Sequence, residues 1–553
     1  MAGTRACARD WRGLELMASL GRPPEFTTRP SLRASFQADR FLLVATIVAS
    51  VGVLVPLFLT PFVPLQDLPN HVALASLLTH LGDEGTVSSF HFIPQPHPVP
   101  YWVGYVIILI GAKIASPLFG AKLFVAVGLL AVPFGMMRLL RSLHRSPRLG
   151  LLAFALSWDY NMSWGFVAFN LGTGLSLVYI AWVLDNLKES CRRWSDLAKA
   201  LALGVLIAFT HAHAAAMVAI VLGALSLFEL PRWRHALRLV FFSLVPFVGL
   251  LPWMLMGLFA KAGAMPAPLQ GGAVGDWPGP GQRLGRLFEY TLDFVYGPVP
   301  ETVMAIVFVV LLATPLALLV SSRRTGKGQH RAWVLYGLAW LLYLALPASL
   351  NWPFFQLFVH ERHATFILLM GLTLPSCELA GRFAWRLAPG LFAVVLAVGV
   401  NIWLCNSFAK HSAPFLEIID AVPRESRVLP VLLETSVPGS RRTPLNQFSA
   451  YLIAEKGGYS PYLFDTPNLM VRYDAERHLP HPDWSEPNEV SFERHMPHYD
   501  YLLVQGKDSD PIHQQQAGVF RTPNLELREI KAAGVWRLYE IQPASKQFQN
   551  DDP

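Results

Sequence analysis

Tyr101-Trp-Val-Gly-Tyr-Val-Ile-Ile-Leu-Ile-Gly-Ala-Lys-Ile-Ala-Ser-Pro-Leu118 is the stretch on which the topology turns. It is apolar enough to be taken for a membrane span, since a helix of roughly 20 apolar residues crosses a bilayer's hydrocarbon core. Its details favour a helix that lies at the interface instead. Lys113 is costly at a bilayer centre and cheap near the surface. Tyr101 and Trp102 form an aromatic pair suited to the interface, and His97, Pro98 and Pro100 break the chain just before them.

The charges on either side decide between the two readings. Further apolar runs cover 41–62, 119–140, 149–166, 167–187, 200–212, 213–230, 238–260, 301–320, 332–350, 363–380 and 388–408. Short cytoplasmic loops concentrate Lys and Arg. Five connections do so here: Arg138 to Arg148, Lys188 to Lys199, Arg232 to Arg238, Arg323 to Arg331, and Arg382 with Arg386. Segment 63–100 carries neither Lys nor Arg and belongs outside. If 101–118 crosses, the first basic loop falls outside and the later ones flip with it. If it does not cross, all five lie inside. The expectation is a polytopic α-helical membrane protein of about eleven transmembrane helices, with outer-surface helices in the first loop and the N-terminus in the cytoplasm. Whether 200–230 is one tilted helix or two is open from the pattern alone.

Composition agrees. Of 553 residues, 53% are hydrophobic and 15% charged, against about 25% charged in soluble domains. The net charge of +7 marks cytoplasmic loops and excludes a nucleic-acid stripe, because no basic run interleaves with aromatics. The cysteines, Cys7, Cys191, Cys377 and Cys405, show no metal-type pair and no disulfide framework. Residues 1–40 read as a disordered cytoplasmic tail, 41–408 as the membrane domain with 63–118 as its outer loop, and 409–553 as a soluble extracytoplasmic α/β domain. Within the last, Val428–Leu433, Tyr501–Gln505 and Gly534–Ile541 have strand composition, and Phe448–Glu455 reads as a helix. It shows no nucleophile motif or phosphate loop, which suits a lid or an acceptor-docking surface.

Candidate chemistry starts in the outer loop, Pro64-Leu65-Gln66-Asp67-Leu68-Pro69-Asn70-His71. Asp67 stands at the outer membrane surface, where a carboxylate is placed to act as general base. If 68–81 is helical, His71 shares a face with it and joins Asp67 as a catalytic candidate. The bland alternative makes Asp67 only the helix N-cap, with Pro69 in the first turn. His71, His80, His91 and His97 lack the spacing of a metal site, so no metal is assigned and cofactors stay unknown. Asp159, Asn161 and Asn170 sit in apolar surroundings, where polar groups face a cavity or one another. His211 and His213 fall at an outward tip. His360 and Arg362 precede a late span, where a guanidinium is placed to hold a lipid phosphate or, alternatively, to pair with Glu361 or another loop acid.

This order of features resembles the GT-C superfamily of membrane glycosyltransferases, of the protein O-mannosyltransferase and aminoarabinose transferase type. The likeness rests on Asp67 early in the first outer loop, the Pro100-Tyr101-Trp102 stretch, Gly120 to Arg141, Thr210-His211, Arg362 opening a late span, and a soluble outer domain. Gln66-Asp67 stands where many relatives have two acids, and Asn170 where many have one. The resemblance implies transfer of a sugar from a polyprenyl-phosphate donor to an extracytoplasmic acceptor (glycan, lipid or protein). It implies Asp67 as base, Arg362 with His360 at the donor phosphate, and Asn70, Tyr101, Trp102, Asp159, Asn161, Asn170, His211 and His213 lining the cavity. It also implies a bacterial inner membrane with the C-terminal domain in the periplasm. Two other readings stand beside it, a transporter or flippase built around Asp159, and an inactive scaffold with the same fold.

Overall fold

The structure is a computed structural model that describes residues 32–83, 85–95, 99–187, 194–259, 277–321, 328–350, 356–377, 379, 381–465, 469–507, 521–522 and 525–543. His97, Pro98 and most of the cations in the second and fourth basic connections lie outside the described residues. Of the described residues, 32–44 belong to one unit and those from Ala45 onward to a second. In the first, Leu32–Ala38 is helical and Asp39 Oδ1 accepts from Leu42 N at 3.0 Å near the start of the helix Arg40–Phe58.

Among the described residues, six helices are long and apolar enough to cross a membrane: Arg40–Phe58, Pro117–Ser142, Val167–Asn186, Leu230–Leu255, Pro298–Val320 and Phe383–Ala421. The window through Val167–Asn186 is 83% buried. Its buried residues fall on every face, as on a helix enclosed by other helices. Trp194–Thr210 and Ala212–Phe228 are shorter and pack against this helix, and Gln329–Ala345 packs against Ala212–Phe228 and Ala364–Gly371.

The expected run 149–166 is not one helix. Pro147–Leu156 winds as a 3-10 helix, the chain breaks at Asp159, and a five-residue helix, Tyr160–Trp164, follows. The run 363–380 keeps only Ala364–Gly371 as α-helix. Residues 200–230 form two helices, because His211 has extended backbone (φ −165°, ψ 125°) and its ring Nδ1 accepts from His213 N at 3.1 Å, capping the second helix.

Trp102–Ile114 has 13 residues, about 20 Å of helix, which is shorter than the hydrocarbon core. It seats against Pro117–Ser142 through Gly111 and Gly120. A Cβ on Gly111 would run into the Gly120 backbone, so only glycine permits that approach.

The C-terminal region holds a five-stranded sheet in the order Val428–Leu432, Tyr501–Gln505, Trp536–Pro543, Leu525–Ala533 and Arg521–Thr522. The first pair is parallel and the rest antiparallel, with a bulge between Glu529 and Lys531. Three of these strands lie where composition predicted them. Leu525–Ala533 was not predicted, because Glu526, Arg528, Glu529 and Lys531 interrupt its apolar pattern.

One pairing fixes sidedness. Phe92–Pro94, in the first loop, forms an antiparallel ladder with Val471–Tyr473. Ser76 Oγ donates to Ala454 O at 3.0 Å, and Glu425 Oε2 accepts from Val87 N at 2.8 Å. No such bonds can reach through a bilayer, so the first loop and the C-terminal region lie on the same face of any membrane the helices cross. An even number of crossings must therefore separate them.

Candidate active site

Asp67 occupies the N-cap position of Leu68–His80, but its side chain makes no capping bond. The capping alternative thus leaves the carboxylate unspent. The backbone is pinned by a different element. Gln66 N donates to Ser163 O at 3.2 Å and Asp67 N donates to Trp164 O at 3.0 Å. Gly165 ends the short helix at φ +93°, and a Cβ there would sit 2.8 Å from Asp67 N. Positive φ and this close approach both require glycine.

The carboxylate meets a residue nearly four hundred positions away. Gln447 Nε2 donates to Asp67 Oδ1 at 3.1 Å. Gln447 Oε1 accepts from Asn70 Nδ2, and Asn70 Oδ1 accepts from Phe464 N at 3.0 Å. The backbone donor fixes how Asn70 lies, which fixes how Gln447 lies, so an N–H and not a carbonyl is aimed at Asp67. Burial raises the Asp67 carboxyl from an ordinary 3.8 to about 7, against the opposing pull of the Gln447 bond and the Arg362 charge. Gln447→Leu removes a bond that favours the carboxylate. It is expected to move the acidic limb of the activity profile above pH 7, and an unshifted limb would show that the bond does not act on Asp67.

His71 makes no side-chain bond to Asp67. Its Nδ1 lies 3.4 Å from Tyr105 Oη, and its ring is enclosed by Tyr101, Tyr105 and Phe464. Burial lowers its pKa to about 4, so it is neutral at pH 7. Tyr101 has φ +83°, a left-handed conformation that costs a bulky residue energy. This aims its ring at His71 and at His211, 5.2 Å away. Trp102 opens the following helix, half-buried.

Arg362 lies opposite. Its guanidinium carbon stands 4.0 Å over the Phe166 ring and 5.7 Å from that of Phe169. Nη1 is 3.3 Å from His211 Nε2, and Nε is buried with no hydrogen-bond partner. Among the described residues no carboxylate pairs with it, so the Glu361 alternative fails. Arg362 and Asp67 act on each other's charge, and both act on Tyr101. His360 keeps other company. It is fully buried between the rings of Tyr290 and Tyr343, with Nδ1 3.0 Å from Glu361 Oε2, and no hydrogen bond among the described residues joins it to the Arg362 guanidinium. His213 Nε2 lies 2.9 Å from His363 Nε2, behind Arg362.

Asp159 is a structural hub. Oδ1 accepts from Met162 N at 2.9 Å and Asn170 Nδ2 at 3.2 Å; Oδ2 accepts from Thr365 Oγ1 at 2.8 Å and Asn161 Nδ2 at 3.1 Å. Asp159, Asn161 and Asn170 line a narrow cavity that Arg362 also borders. The loop histidines disperse: His80 lies against Asp83, and His91 bonds Arg477 O at 2.6 Å.

Sequence reasoning missed Gln447, Tyr105 and Arg442. Arg442 covers Tyr160 and Trp164 at 4.5 and 4.6 Å and donates from Nε to Ser163 Oγ at 3.3 Å. Next to it, Thr443 Oγ1 donates to Gln66 Oε1 at 3.2 Å. The adjacent Arg441 and Arg442 in an otherwise ordinary surface segment were the available signal. Gln447 offers none.

Comparison with solved structures places this arrangement. ArnT from Cupriavidus metallidurans bound to undecaprenyl phosphate superposes with a TM-score of 0.50 and 11% identity, covering 90% of this chain and 97% of that one. The chain has the GT-C fold. The apo state of the same ArnT gives a TM-score of 0.48 at 11% identity, with coverage of 91% and 98%. The Archaeoglobus fulgidus oligosaccharyltransferase tethered with an acceptor peptide gives 0.38 at 12% identity, over 77% of this chain and 64% of that one. No family model and no curated protein sequence matches the chain.

Proposed function

We propose that the protein is an integral membrane glycosyltransferase that moves a sugar from a polyprenyl-phosphate donor to an extracytoplasmic acceptor. Fold alone does not carry this reading, since one fold hosts many activities. The observation that carries it is a half-buried carboxylate, its pKa pushed up to about 7 by desolvation, that shares its field with a guanidinium lacking a carboxylate partner among the described residues. The first suits a base at neutral pH, and the second calls for an anion from outside the chain.

In the proposed step the acceptor's O–H or N–H gives its proton to Asp67. The freed electron pair attacks the anomeric carbon, the carbon–oxygen bond to phosphate breaks, and its pair leaves on the polyprenyl phosphate beside Arg362. The leaving group is already good, so positioning and one base suffice. Undecaprenyl phosphate, the lipid bound in the ArnT structure of like fold, is of the chemical class that this step releases.

The reading includes eleven spans with Tyr101–Leu118 at the interface, the N-terminus inside, and the C-terminal region outside in the periplasm. Ten crossings between the first loop and that region satisfy the even count that the ladder of Phe92–Pro94 requires. Domain limits at about 41, 409 and 553 go with it. The test is purified protein in nanodiscs with polyprenyl-phosphate sugars and cell-envelope acceptors, assayed for free polyprenyl phosphate. Release is expected; none from any such donor would end the proposal.

A further inference from the structure

His211 poses a problem of hydrogen-bond arithmetic. Its Nδ1 accepts from His213 N at 3.1 Å, and its Nε2 lies 3.3 Å from Arg362 Nη1. An arginine nitrogen only donates, and a neutral imidazole has one acceptor and one donor nitrogen. Both contacts cannot be hydrogen bonds at once. The backbone N–H of His213 is held in the first turn of Ala212–Phe228 and cannot turn away, so it claims the lone pair of Nδ1. The proton of His211 then sits on Nε2, facing an Arg362 N–H. Two donors are left nose to nose, and Arg362 Nε is a third, buried with no partner.

Packing keeps them there. Tyr101 and Phe169 meet the His211 ring edge-on at 5.2 and 5.5 Å, and Phe166 lies under the guanidinium. Such unsatisfied, enclosed donors are costly unless an acceptor arrives.

We propose that His211, as its Nε2–H tautomer, joins Arg362 in a two-residue clamp on the non-bridging oxygens of a phosphate group. An oxygen placed between them takes the Nε2–H and an Nη1–H together, and a second oxygen reaches Nε in the fork geometry of guanidinium with phosphate. The inference rests on the donor-site reading above and supplies its second anion ligand.

Two substitutions separate the nitrogens. An Asn side chain reproduces the Nδ1 position, keeping the helix cap while losing the outer donor. A Gln side chain reproduces Nε2–H while losing the cap. Full-length protein in detergent is titrated with farnesyl phosphate and with inorganic phosphate, calorimetrically and with Tm as a second readout. His211→Asn is expected to keep the wild-type Tm without ligand and to weaken farnesyl phosphate binding about 10-fold or more, as for one lost charge-assisted bond. His211→Gln is expected to lower the unliganded Tm and to bind within about 3-fold of wild type. Preference for farnesyl phosphate over inorganic phosphate identifies a lipid as the source, and equal binding identifies free phosphate. Wild-type affinity in His211→Asn overturns the clamp, as does a wild-type protein that binds neither probe. If the clamp passes and no sugar transfer is found, the transferase reading alone fails. If transfer occurs with an unchanged donor KM in His211→Asn, the clamp alone fails.

Discussion

Asp67→Asn is expected to lower kcat by about 10²–10⁴-fold, the usual share of a general base, while raising stability at alkaline pH. Asn keeps the shape and still offers an oxygen to Gln447 Nε2. The sign follows from the raised pKa. The fold favours the neutral acid, so the associated stability is complete below about pH 4 and is lost as pH rises through about 7. At pH 8 the wild type holds a poorly solvated charge that the variant lacks. The variant's Tm should exceed the wild type's at pH 8 and match it near pH 4. Wild-type kcat/KM should climb with pH to a plateau beyond about 7, and the variant's residual rate should be flat across that range. Undiminished turnover would remove Asp67 from the chemistry, and a lower Tm at pH 8 would show that the substitution damages the fold instead. A stability gain with loss of turnover is the signature of a site kept strained for function.

What the sequence disclosed divides along a physical line. Long apolar helices, strands rich in Val and Leu, and the outer-loop helix from Leu68 are set by local composition and period, and they appear where those signals lie. The expectation that Tyr101–Leu118 does not cross comes from counting charges, a global balance that needs no contact map. The failures are of another kind. Apolar composition at 149–166 says only that the segment is buried, and a 3-10 run ending in a side-chain-capped turn is as apolar as a helix. His360 neighbours Arg362 in sequence, but the 3-10 turn Glu361–His363 leaves the two side chains with different partners. Gln447 reaches Asp67 only because the C-terminal region folds back onto the first loop, which no window of sequence displays. The site's acid and cation were legible as isolated charges. The groups that orient them were not, because orientation is a property of contacts hundreds of residues apart.

Asp159 tests how a buried acid should be read. In a membrane segment such a residue is by default a candidate for transport or proton relay, and a transporter reading makes Asp159→Asn fatal to activity with the fold intact. The structure gives the carboxylate four donors from three elements: Met162 N and Asn161 of the short helix, Asn170 of the central helix, and Thr365 in the first turn of Ala364–Gly371. Asp159→Ala strands all four. Each buried donor without a partner costs about 1–3 kcal/mol, so the loss is on the order of 5 kcal/mol, comparable with the whole margin of a folded protein. The expected result is little monodisperse protein after detergent extraction, and a much lower Tm for what survives. Asp67 suffers with it, because the carbonyls of Ser163 and Trp164 that hold Gln66 and Asp67 belong to the turn that Asp159 caps. Turnover per folded molecule should therefore fall together with Tm in Asp159→Ala, whereas Asp67→Asn separates the two. An Asp159→Ala protein with wild-type Tm would free that carboxylate from its structural duty and restore it as a candidate for a moving proton.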